Sequence, residues 1–236
     1  MQLVRFVAAL PTLLAFIIAA PLNAAADGLD GNRYSDTLER RYAADISASA
    51  AYLATNPPKG FGRGQSAVII DVRTVEEFVG GHPPGAISIP FPHIHNRQYS
   101  NPDDPKHDEL YIGQEPEDFV AAVDSLGLPA DTLIITMCRT GFRSVLAANL
   151  LADAGYTNVQ NMWEGFKGRL KQNVAGEDVD LDGDGFVDGN DPYSGDLDGW
   201  ANFAKLPVSF KLRPWQLYPD PDYQYRYLYY TVEGER

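Results

Sequence analysis

The chain has 236 residues, 44% of them hydrophobic, which is enough for one full core with sizeable appendages. It carries 32 Asp and Glu against 19 Lys and Arg, so nucleic acid and anionic membrane surfaces are poor general partners. Any anion-binding site has to be a local basic island in a negative field.

The N-terminus, "MQLVRFVAALPTLLAFIIAAPLNAAADG", reads as an export signal. Arg5 supplies the charged start, Phe6 to Ala20 the apolar run, and Ala24-Ala25-Ala26 a cleavage site. A retained anchor is the competing reading. The run is shorter than the roughly 20 residues that span a bilayer, and Pro11 interrupts it. The sequence therefore predicts a signal peptide over 1–26 and an exported protein, periplasmic or secreted. Export bears on Cys138, the single cysteine, because structural cysteines in an oxidising compartment come in pairs. Cys138 is then an inert core residue, half of an intermolecular bridge, or a nucleophile.

Residues 27–60 form an N-terminal segment in which 36–55 have helical spacing, with Leu38, Tyr42, Ile46 and Leu53 on one face. Ser35 or Asp36 can cap that helix, and Gly60, Gly62 and Gly64 make a junction. "SAVIIDVR" (66–73) then reads as a strand buried on both faces, 74–81 as a short helix capped by Thr74, and 85–90 as a second strand. Residues 91–115 read as a long loop, followed by a helix over 115–128. The alternation ends with a strand (131–137), a helix (143–156) and a short strand (158–162). This is an α/β pattern: a small parallel sheet with helices on both faces over 61–170, an N-terminal helix before it, and an irregular extension over 171–236. In that extension Tyr223, Tyr225, Tyr227 and Tyr229 fall on one side of an extended strand. Such a row packs on the core or is exposed for a partner or glycan, and tyrosine rows usually bury their faces.

Cys138 follows a buried strand and a helix starts within a few residues, which places it at the carboxyl end of a parallel strand. Arg139, Thr140, Gly141, Phe142 and Arg143 make a short turn whose backbone N–H groups can form an anion nest. The helix end and two arginines are expected to lower the thiol pKa and favour the reactive thiolate. This loop, Cys-x4-Arg, resembles the active-site loop of the rhodanese (sulfurtransferase) family. "VIIDVRTVEEFVGGHPPGAISIP" (68–90) and "GYTNVQNMWEGFKG" (155–168) resemble two further motifs of that family, with Phe166 in place of a second glycine after Glu164-Gly165. The resemblance implies that Cys138 carries a sulfane sulfur as a persulfide, taken from a thiosulfate-like anion and passed to cyanide, a thiol or a protein acceptor. It also implies that 139–143 cradle the substrate, with Arg139 and Arg143 holding the donor and no cofactor needed for catalysis. Asp71 and Arg73 are expected to support the loop. Cys-dependent phosphatases use a loop one residue longer, so the four-residue spacing favours sulfur over phosphate. A non-catalytic module that binds a sulfur-pathway partner is the alternative of a different class.

"DLDGDGFVDGND" (180–191) matches a calcium-loop pattern, with Asp180, Asp182, Asp184, Phe186 (through its carbonyl), Asp188 and Asp191 as ligands. Oxygen donors alone suit a hard ion, so Ca2+ is the expected structural ion. Asp191 stands where a bidentate Glu is usual, and Pro192 follows it. Asp178, Asp196 and Asp198 are spare acids that join the site or decorate it, and a solvated acidic linker is the competing reading. His93, His95 and His107 make a weak zinc pattern, and His82 reads as a packing residue.

Overall fold

In the computed structural model the described residues are 38–57, 67–96, 111–188, 195–219 and 225–234. The signal region, the Ser35 or Asp36 cap, the 60–64 junction, His107, Asp191 and Tyr223 therefore lie outside them. Five parallel strands form the central sheet: β1 (Ala44–Ile46), β2 (Val68–Asp71), β3 (Ile87–Ser88), β6 (Ile134–Met137) and β7 (Val159–Met162). Their order is β1-β7-β6-β2-β3, so β6 runs through the middle with β7 and β2 beside it. All four residues of β6 are buried, and the continuous apolar run has no polar face because both faces of the sheet are covered.

Helices α1 (Ala48–Thr55), α2 (Val75–Val79), α3 (Pro116–Asp124), α4 (Phe142–Asp153) and α5 (Arg226–Gly234) complete the fold, and α4 packs against β6 and β7. The small parallel α/β domain is thus as the sequence indicates. The capping box of α2 forms, with the Thr74 hydroxyl accepting from the Glu77 N–H and the Glu77 carboxylate accepting from the Thr74 N–H.

Three elements differ from their sequence reading. The helix placed at 36–55 is only its second half: 44–46 pair with β7 as an edge strand, and Ser47 caps a helix that starts at Ala48. The Ala48 N–H donates to the Glu164 carboxylate, so the β7 exit helps to set that start. The helical spacing of Tyr42 and Ile46 was overridden by the free edge of β7, since three residues of strand satisfy either periodicity. The 91–115 stretch is not all loop, because β4 (His93–Asn96) pairs antiparallel with β5 (Tyr111–Gly113). Finally, Tyr227 and Tyr229 of the tyrosine row lie on a helix instead of a strand, with Tyr225 in the turn before it. On α5, Leu228 and Tyr229 are buried while Tyr227 and Tyr230 face solvent. A period of 3.6 splits tyrosines that a period of 2 would have aligned.

The extension is part of the core. Trp200, Leu217, Tyr218, Leu228 and Tyr229 join the same buried cluster as Ile70, Phe78 and Ile134. The Tyr229 hydroxyl donates to Ser88 Oγ at 2.7 Å, and α5 lies along α2. A bridge between His82 and Ser209 adds backbone hydrogen bonds in both directions. Each fully buried large apolar side chain here stabilises the fold by about 1.5–3 kcal/mol relative to exposure.

Candidate active site

Cys138 leaves the carboxyl end of central strand β6 and is only 1% exposed. The chain must then turn into α4 within three residues, and Gly141 makes this turn with φ +99° as the helix N-cap. A Cβ at 141 would lie 2.2 Å from the Trp163 carbonyl oxygen, so close approach and backbone angle both demand glycine. In this geometry the Gly141 N–H donates to Cys138 Sγ at 3.1 Å. Ser144, one turn into α4, has its hydroxyl 3.5 Å from the same sulfur and donates to the Gly141 carbonyl at 3.0 Å. The sulfur therefore sits at a helix N-terminus, where partial positive charge accumulates.

A second turn, 163–168, clamps the loop from outside. The Phe166 N–H donates to the Cys138 carbonyl at 2.8 Å, while those of Lys167 and Gly168 reach the Arg139 carbonyl at 3.0 and 3.1 Å. Gly165 allows this approach, since a Cβ there would come within 2.6 Å of the Arg139 backbone. Phe166, the departure from the family's second glycine, places its ring 3.9 Å from the Arg73 guanidinium carbon.

Arg143 makes a bidentate ion pair with Glu77 at 2.8 and 2.9 Å. Burial works against both charges. Glu77 nonetheless holds Arg143 above its ordinary pKa, and Arg143, with Arg73 beyond it, holds the Glu77 carboxyl below the usual carboxylate range. Arg73 is likewise committed: Nε and Nη2 engage the Asp71 carboxylate and Nη2 donates to the Gly81 carbonyl at 2.8 Å. Asp71 and Arg73 thus form a buried brace at the neighbouring strand end, as the sequence reading expected. Of the remaining loop residues, Arg139 and Phe142 are exposed and Thr140 is half-buried. The sequence reading did not single out Glu77, Ser144 or Lys167. The Thr74-x-x-Glu77 spacing is a capping-box signal that could have found Glu77 locally, but its reach to Arg143 is a tertiary pairing.

Among the described residues the histidines do not form a cluster with metal-ligand spacing, and His107 lies outside them. Buried His95 contacts Glu76 through Nδ1. His82 stacks on Phe78 with ring centroids 3.9 Å apart, its Nδ1 3.0 Å from the Phe78 carbonyl, which is the packing role anticipated. Among the described residues the one cluster with metal-ligand spacing is Asp180, Asp182 and Asp184, whose carboxylate oxygens lie within 4.8 Å of one another. The loop folds through its own acids: Asp180 accepts from the Gly183 and Gly185 amides, and Asp184 accepts from the Phe186 amide. Asp196 is buried and accepts from Leu181 and Asp188, so it organises the loop and is not spare. Asp198, also buried, accepts from the Arg169 amide. Phe186 and Asp188 are exposed.

Residues 59–172 match the family model described as Rhodanese-like domain. Thiosulfate sulfurtransferase 16, chloroplastic, of Arabidopsis thaliana is 33% identical over 105 residues, 44% of this chain and 75% of the relative. The uncharacterized protein RP600 of Rickettsia prowazekii (strain Madrid E) is 32% identical over 108 residues, 44% of this chain and 72% of the relative. Among solved structures, Rv0390 from M. tuberculosis is 23% identical with a TM-score of 0.42, covering 72% of this chain and 99% of the other. With its cysteine on the central strand and three ordered motifs inside the matched span, the chain belongs to the rhodanese-like domain family.

Proposed function

We propose that the protein is a sulfurtransferase that moves a sulfane sulfur through a persulfide on Cys138. The observation that carries this reading is the Gly141 N–H and the start of α4 aimed at a sulfur at the carboxyl end of the central strand. In the first step the Cys138 thiolate attacks the outer sulfur of thiosulfate. A new S–S bond forms, the donor's S–S bond breaks, and its electron pair leaves on sulfite. In the second step cyanide or a thiol attacks the outer persulfide sulfur, and Cys138 departs again as thiolate. One difficult transfer becomes two easier ones, and the Gly141 amide and helix end stabilise the anionic sulfur in both.

The test is thiocyanate formation from thiosulfate and cyanide, together with intact mass. Wild type should form thiocyanate and gain about 32 Da, one sulfur atom, on incubation with donor alone; Cys138→Ser should do neither. Wild type that gains no mass and forms no thiocyanate marks the domain as a binding module without this chemistry. We further propose export, with cleavage after the apolar N-terminus. Intact mass of the secreted or periplasmic protein reports it.

We also propose Ca2+ as a structural ion on Asp180, Asp182 and Asp184. Three carboxylates this close repel one another unless a cation sits among them, and the donor set is oxygen only. The ion would supply charge neutralisation there, away from the sulfur chemistry.

A further inference from the structure

Four cationic side chains are tied to the thiol loop or its braces, and they fall into two classes. Arg73 and Arg143 each have a carboxylate of their own, Asp71 and Glu77. Arg139 and Lys167 have no ion-pair partner among the described residues. They are also held together: the Arg139 carbonyl receives the N–H groups of both Lys167 and Gly168, and the Gly165 turn presses against the Arg139 backbone. The backbones that carry these two like charges are therefore fixed side by side at the loop, and the Arg139 charge acts on Lys167, in a chain of net charge −13.

Lys167 is the sharper of the two, because it is half-buried. Burial and then the Arg139 charge push its ammonium below the ordinary lysine pKa, with Arg73 adding to this and Glu77 pulling the other way. A half-buried ammonium beside another cation loses solvation without gaining a carboxylate. An arriving anion reverses that deficit for both cations at once. Arg143, by contrast, has both terminal nitrogens on Glu77 and could turn to a donor only by leaving that carboxylate partly buried and unpaired.

We propose that Lys167 and Arg139 together form the donor subsite, and that it selects small dianionic sulfane donors of the thiosulfate class. Arg143 then holds the loop in shape instead of holding the donor, so that Arg139 keeps the role the resemblance implies and Lys167 takes the place of Arg143. The assignment rests on the sulfurtransferase reading above, and the experiment separates the two. Persulfide loading of Cys138 is followed by intact mass against donor concentration for wild type, Lys167→Gln, Lys167→Arg and Arg139→Gln. Two donors are used: thiosulfate, a dianion, and benzenethiosulfonate, a monoanion.

Removing one cation should raise the half-saturating thiosulfate concentration by about tenfold in Lys167→Gln and in Arg139→Gln, the scale of one charge-assisted contact. Lys167→Arg should stay within about twofold of wild type, and benzenethiosulfonate should shift by less than about threefold in every variant. Lys167→Gln with the wild-type thiosulfate dependence overturns the proposal while the sulfurtransferase reading stands. So does an equal shift for both donors, which signals a merely structural lysine. Wild type that loads from neither donor overturns both.

Discussion

The thiol loop at 138–143 and the aspartate loop at 180–188 are both short turns that point backbone N–H groups inward, yet they are held in opposite ways. The thiol loop is shaped from outside: a glycine fits against the Trp163 carbonyl, a second turn clamps two of its carbonyls, and Glu77 fixes its arginine. The aspartate loop is shaped from within, by amides bonded to its own carboxylates and to Asp196. A loop braced by neighbours leaves a donor free for a reacting atom. One that spends its amides on its own acids keeps a concentrated negative charge.

Gly141→Ala breaks the first loop most severely. A Cβ 2.2 Å from a carbonyl at positive φ should cost about 3 kcal/mol or more in denaturant unfolding and abolish thiocyanate formation. Glu77→Gln comes next, at about 2–3 kcal/mol, because it leaves a mostly buried Arg143 uncompensated. It also has a pH signature. The folded Glu77 pKa is depressed, so its stabilisation is fully present above the unfolded value, about 4.3, and is lost as pH falls through the lower folded value. Wild type should lose stability over that acid window, and Glu77→Gln should show a shallower slope in urea melts.

The second loop should respond to calcium instead. At a free concentration of ten to thirty times its Kd, Ca2+ should stabilise wild type by about 1.4–2 kcal/mol, read as a rise in Tm, and chelator should reverse the rise. Asp182→Ala should lose that response and, without calcium, stay within about 0.5 kcal/mol of wild type. A Tm in wild type indifferent to calcium would leave the loop an acidic linker.

The site's frame was legible because its elements are locally coded. Apolar strands buried on both faces, the Thr74 cap and a Gly-containing turn after Cys138 all announce themselves within a few residues. What was not legible depends on distant partners. Arg143 reads as a donor ligand until Glu77, 66 positions away, is found against it. Lys167 reads as an ordinary residue until its amide is seen on the Arg139 carbonyl. The 44–46 strand exists because β7 offers an edge, and the helix of the tail exists because α2 and Ser88 offer it a seat. Short segments of mixed period take the structure that their neighbours leave open.

The bond from Tyr229 to Ser88 has a consequence in time. It spans 141 positions. A nascent chain that has emerged as far as residue 170 holds every strand of the sheet but lacks Trp200, Leu217, Leu228 and Tyr229, which complete its core. Long-range closure of this kind is slow, and it leaves apolar surface open until the last helix arrives. The sheet alone is therefore not the finished core, which closes only when the tail packs onto it.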